Sequence, residues 1–136
     1  MNHKRKNNSS VPQLNLAGID FKEIKPDLFD TIADQTAVTL SKSGKECNKP
    51  TQLRRFFDDV VMWEEKIRQN PERFNEYLPF IRMINAKAAY SQGRNNVDTN
   101  FQKLMAHCLG MVDSEKEMKI FKLFFEAVMG FYKQYK

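Results

Sequence analysis

Along most of this chain apolar residues recur at intervals of three and four, the spacing that gathers side chains on one face of a helix. Pro26 suits a first-turn position, Asp27 and Asp30 suit the positive helix start, and Phe29, Ile32, Ala33, Thr36, Ala37 and Leu40 form one stripe. That stripe fades at residues 41–44. Pro50 and Thr51 open a stronger helix, with Thr51 as the expected N-cap and Leu53, Phe56, Phe57, Val60, Val61 and Ile67 on its face. Glu64 falls inside that stripe, so it needs a basic partner or a frayed helix end. Asn70-Pro71-Glu72 reads as a stop and restart, and Leu78-Pro79 as the start of a helix to about Ser91 with Tyr77, Ile81, Ile84 and Ala88 on one side. After a loop at 93–96, Val97, Phe101, Leu104, Met105, Cys108 and Leu109 mark another helix. Ser114 with Glu117 forms a capping box before a last stripe of Phe121, Phe124, Phe125, Val128, Phe131, Tyr132 and Tyr135. No period-two segment competes. The expected fold is all-α, a compact bundle of about five helices.

The ends of the pattern differ. Residues 12–24 carry Leu14, Leu16, Ile19, Phe21 and Ile24 without a regular period, and are expected to dock on the core. Residues 1–11 are rich in Asn, Ser and Lys, and read as a disordered basic tail. The expected organisation is therefore a tail, 1–11, and one helical domain, 12–136. A chain of 136 residues is one domain's worth of sequence. With only 5 Gly and 5 Pro it lacks the turn chemistry of a β-sandwich. No apolar run approaches the ~18–20 residues of a membrane span, and no apolar segment of a leader follows Lys4-Arg5-Lys6. Cys47 and Cys108 stand far apart and read as reduced thiols, so a cytoplasmic protein without membrane contact is expected.

Catalytic patterns are missing from the sequence: no phosphate-binding glycine loop, dinucleotide fingerprint or zinc-protease helix occurs. His3 lies in the tail, and His107 has no evident nucleophile or carboxylate to work with, so it reads as structural. Asp58-Asp59, Glu64-Glu65 and Glu115/Glu117 do not converge, because adjacent helical residues point ~100° apart. No catalytic residue, metal ligand or cofactor is expected. The methionines read as core filling or, secondarily, as adaptable partner surface.

The net charge of +5 points instead to an anionic partner. Arg54 and Arg55 lie near the start of the second helix, where backbone N–H groups favour anions, and Lys49 precedes them. Lys87, Tyr90 and Arg94 share a stripe on the next long helix. Two cations flanking an aromatic ring suit a phosphate–sugar backbone with a base or ribose on the ring. Alternatively Tyr90 packs in the core and Lys87 snorkels beside it.

Two stretches carry a family resemblance: Pro50-Thr51-Gln52-Leu53-Arg54-Arg55-Phe56-Phe57-Asp58-Asp59-Val60, and the run from Leu78-Pro79-Phe80 through Ala86-Lys87-Ala88-Ala89-Tyr90 to Arg94. In this order and in a chain of this size, they resemble the all-helical small subunit of type III-A CRISPR interference complexes, the Csm small-subunit family. Phe57 departs from the Tyr of many relatives. The resemblance implies a non-catalytic subunit that stacks in several copies beside the backbone subunits and binds the guide RNA and the target single-stranded RNA through their phosphates. Carried over, the RNA-binding residues are Lys49, Gln52, Arg54, Arg55, Lys87, Tyr90 and Arg94, with Arg82 left for a subunit contact. Apart from the resemblance, the large apolar side chains Phe131 and Tyr135 near the chain's end are candidates for self-association, with core packing the first expectation for Phe131. The competing readings are a helical DNA-binding regulator, with the helix over 97–109 exposing Asn100, Gln102, Lys103 and His107, and a helical adaptor that binds only protein.

Overall fold

A computed structural model describes residues 13–136, and every regular element among them is helical. The tail expected over 1–11 lies outside the described residues. The α-helices are α1 (Ala33–Ser41), α2 (Pro50–Gln69), α3 (Phe74–Arg82), α4 (Ile84–Gly93), α5 (Thr99–Gly110) and α6 (Glu115–Tyr132). The all-α bundle read from the periodicity is thus the fold observed, with one expected helix present as the pair α3–α4.

Helix α6 is the axis of the packing. It lies against both α1 and α2, which make little contact with each other, and α4 packs on α5. Its Phe121 and Phe124 rings meet Phe21 at 5.7 and 5.8 Å, so the segment before α1 docks on the core through Ile19 and Phe21, with Leu14 and Leu16 packed beside them; Ile24, expected in the same set, is exposed instead. Phe125 links this cluster to Phe101, which meets Phe56 of α2 edge-on at 5.0 Å. Aromatic pairs at such spacing add ~0.5–1.5 kcal/mol each beyond their burial.

Several local expectations are corrected. A π-helical turn, Leu28–Ile32, precedes α1, with the Ile32 N–H bonded to the Asp27 carbonyl at 3.0 Å. That i→i+5 closure adds a residue to the turn, so Leu28 faces the core and Phe29 is exposed. Pro50, not Thr51, is the first residue of α2; Lys49 takes the cap position, and no side chain caps the helix. The helix expected from Leu78 starts earlier, because Pro71–Arg73 forms a 3-10 turn that runs into α3 and places Pro79 inside the helix. Pro79 is exposed there, so the carbonyl it leaves without a partner remains accessible to water. At Met83 the Ala86 N–H bonds back to the Met83 carbonyl at 3.0 Å, and this tight turn separates α3 from α4. Glu64 is buried and finds its basic partner in Arg68, at 3.4 Å. Ser114 caps α6 by accepting from the Glu117 N–H, but Glu117 reaches the N–H of Asp113, one residue before the capping box requires. Arg82 is used within the chain, donating to the Val112 carbonyl at 2.9 Å and to Asp113 at 3.0 Å.

Candidate nucleic-acid interface

Helices α2 and α4 diverge over the Phe56 side chain and leave a cleft of about 610 Å³. Gln52, Arg55 and Asp59 face it from α2, and Lys87, Tyr90 and Arg94 from α4 and its C-cap. Phe56 is 6% exposed and forms the floor. Helical periodicity produces this arrangement: on each helix, residues three or four apart share the cleft side while their neighbours reach the core. Tyr90 is 68% exposed, so the core-packing alternative for it is wrong. The Arg94 guanidinium donates to the Tyr90 hydroxyl at 3.3 Å and lies 5.8 Å from the ring centroid, a cation–π contact that ties the two side chains together. Lys87 donates to Asp59 at 3.0 Å across the cleft. Arg55 is exposed and makes no ion pair among the described residues.

The sequence profile of the Csm2 Type III-A family matches residues 23–136. The chain belongs to that family. Csm2 is the small subunit of the type III-A CRISPR complex. No match was found among curated proteins or among solved structures.

In this Csm2 chain five of the seven residues singled out from the sequence, Gln52, Arg55, Lys87, Tyr90 and Arg94, line one cleft. Arg54 and Lys49 do not. Arg54 projects from the opposite flank of α2, 3.7 Å from Asp58, because consecutive helical residues point ~100° apart. Lys49 stands before the helix and pairs with Glu46 at 3.3 Å. Sequence reasoning missed Asp59, visible only as half of a carboxylate pair, and Asn96, which lines the cleft from the loop after α4. That Asp59 and Lys87 would be partners was not readable, since the contact depends on how α2 and α4 cross.

A buried polar junction fixes the loop carrying Asn96. Asn48 is fully buried with a φ of 54°. Its side chain donates to the Leu40 carbonyl and to Asp98, and accepts from the Asp98 N–H; its own N–H bonds the Asn96 carbonyl at 3.0 Å. The Tyr132 hydroxyl donates to the Asn48 carbonyl, and burial raises that phenol's pKa, keeping it a donor. Asp98 also caps α5 by accepting from the Phe101 N–H at 2.9 Å.

The helix that a DNA-binding regulator would use is poorly equipped for base reading. On α5, Asn100 is buried and His107 shares a 2.7 Å hydrogen bond with the Ile19 carbonyl. Among the described residues no three His, Cys, Asp or Glu side chains gather where they could hold a metal ion, and no helix is long and apolar enough to cross a membrane. Cys108 is buried and Cys47 partly so, and burial pushes both thiols up, away from the reactive thiolate.

Proposed function

We propose that this Csm2 subunit grips single-stranded RNA in the α2–α4 cleft without regard to sequence, and contributes no cleaving group of its own. The observation that carries this is the meeting, in one exposed cleft, of Arg55, Lys87 and Arg94 with the exposed Tyr90 ring. The cations meet phosphates and the ring takes a base or ribose, which gives affinity without base readout. The RNA is the guide RNA and the single-stranded target RNA of the assembled complex. Copies of the subunit stack beside its other subunits in the cytoplasm. Phe80 and Met83, 56% and 57% exposed, supply apolar surface for such contacts, whereas Tyr135 is held by Asp34 at 2.6 Å and Phe131 packs partly on the core.

The test is fluorescence anisotropy of unrelated single-stranded RNAs titrated with wild type and with Lys87→Ala/Arg94→Ala. The double variant should fold normally, bind every RNA more weakly, and lower the log–log salt slope by about 0.7 for each phosphate it no longer neutralises. Unchanged affinity and slope would remove the cleft as the RNA site.

A further inference from the structure

On the other flank of the first turn of α2 lies a second hollow, of about 470 Å³. Pro50, Thr51 and Arg54 border it from α2, and Met129, Lys133 and Lys136 from α6 and the residues beyond it. Three of its lining residues are cationic and none is acidic. The cleft on the opposite flank, by contrast, includes Asp59.

The cations differ in what they have left to give. The Lys136 ammonium donates to the Ser43 hydroxyl and to the carbonyls of Gly44 and Cys47, so its donors are used in closing the 43–47 loop. Its charge still acts on the hollow. Lys133 is exposed and makes no ion pair or side-chain hydrogen bond among the described residues. Arg54 has only the long 3.7 Å approach to Asp58, with both side chains open to solvent. Arg54 and Arg55 are consecutive, so one helical turn presents a cation to each hollow.

We infer that the second hollow is a phosphate-binding extension of the RNA path, in which Lys133 and Arg54 hold backbone phosphates of the strand that occupies the cleft. This rests on the RNA-binding reading above. A strand leaving the cleft over the first turn of α2 meets Arg54 and then Lys133. Met129 offers an apolar wall to the sugar, and no Asp or Glu side chain lines this hollow, whereas Asp59 lines the cleft.

The experiment compares the full chain with its Lys133→Ala, Arg94→Ala and Lys103→Ala variants, using a fluorescein-labelled 12-nucleotide oligouridylate at several salt concentrations. Lys103 is an exposed lysine of α5 that lines neither hollow, so it controls for net charge. Lys133→Ala should weaken binding about fivefold and lower the salt slope by about 0.7. Lys103→Ala should change neither. If Arg94→Ala weakens binding while Lys133→Ala does not, the extension falls and the cleft stands. Equal losses in Lys133→Ala and Lys103→Ala would also overturn it, because the effect would then be one of net charge. If the wild type itself does not bind, the cleft reading falls and the extension with it.

Discussion

Two polar regions lie within one loop of each other and are built in opposite ways. At the Asn48 junction the side chain is buried and bonded to Leu40 and Asp98, and the main-chain N–H and carbonyl are bonded to Asn96 and Tyr132. In the cleft Tyr90 and Arg94 touch mainly each other, Arg55 touches no charge, and all three are exposed. Polar groups buried with fixed partners define shape, since losing a partner there leaves a desolvated group unsatisfied. Exposed groups with few partners contribute little to stability and remain available to a ligand. The junction nevertheless serves the cleft: Asn48 holds the Asn96 carbonyl, and so sets the loop at the rim.

The largest expected effect is at the junction. Asn48→Ala should cost ~3–5 kcal/mol of stability, from groups left unsatisfied at Leu40 and Asp98 and from a Cβ-bearing residue without Asn's local hydrogen bonding at a left-handed φ. Asn48→Gly removes the same side chain but suits the backbone, so it should lie ~1 kcal/mol above the alanine variant. Urea unfolding of the three proteins measures this. Near-equal stability of wild type and both variants would mean that the junction does not define the shape, and the contrast would disappear.

Tyr90→Ala is the reciprocal case. Stacking on an exposed ring is worth ~1–3 kcal/mol per base, so RNA affinity should drop by about one order of magnitude while the urea midpoint stays put. Tyr90→Phe should retain most of the affinity, because the ring face remains. A Tyr90→Ala protein that is destabilised but binds RNA normally would assign this ring to the scaffold.

The same contrast explains what was legible in the sequence. Stripes such as Phe121, Phe124, Phe125 and Val128 are local signals, and they located the helices; Lys87, Tyr90 and Arg94 shared a face for the same reason. The first stripe misled at Phe29 because a π turn changes the period, which no spacing of apolar residues announces. Arg54 and Arg55 share one helix start, and helical geometry sends them to different flanks, but which hollow each flank faces depends on α4 and α6. Asn48, in a polar loop, looked like any other linker residue. Its role depends on α1, α5 and α6 meeting around it, contacts that span most of the chain. Asp59 and Lys133 were unreadable for the same reason: each acquires its setting from a different helix.

Asp59 sharpens the comparison from inside the cleft, where its carboxylate is paired with a charge across the gap. That carboxylate offsets Lys87 and repels phosphate, so Asp59→Asn should tighten RNA binding by about two- to fivefold and steepen the salt dependence. Weaker binding would mean instead that Asp59 itself holds the RNA, for example by accepting from a ribose hydroxyl.

The smallest effect concerns a third arrangement, exposed like the cleft yet partnered like the junction. Lys22 pairs with Asp113 at 2.7 Å and with Glu117 at 3.1 Å, and Arg82 reaches Asp113 from α3. The Lys22 ammonium beside it, helped by Arg82, holds the Asp113 carboxyl below the usual carboxylate range. At Glu117 partial burial pushes the pKa up, but the Asp113 N–H and Lys22 outweigh it and the net shift is downward. Carboxyls depressed in the folded state stabilise it fully above their unfolded pKa values, ~3.9 for Asp and ~4.3 for Glu, and lose that contribution as pH falls through the folded values. Asp113→Asn should therefore shift the urea midpoint slightly at pH 7, less at pH 3, and leave RNA affinity at neutral pH untouched. A midpoint difference that grew toward pH 3 would show that Asp113 acts through something other than its charge. A change in RNA affinity at neutral pH would tie this cluster to the cleft and blur the division between groups that hold shape and groups that hold ligand.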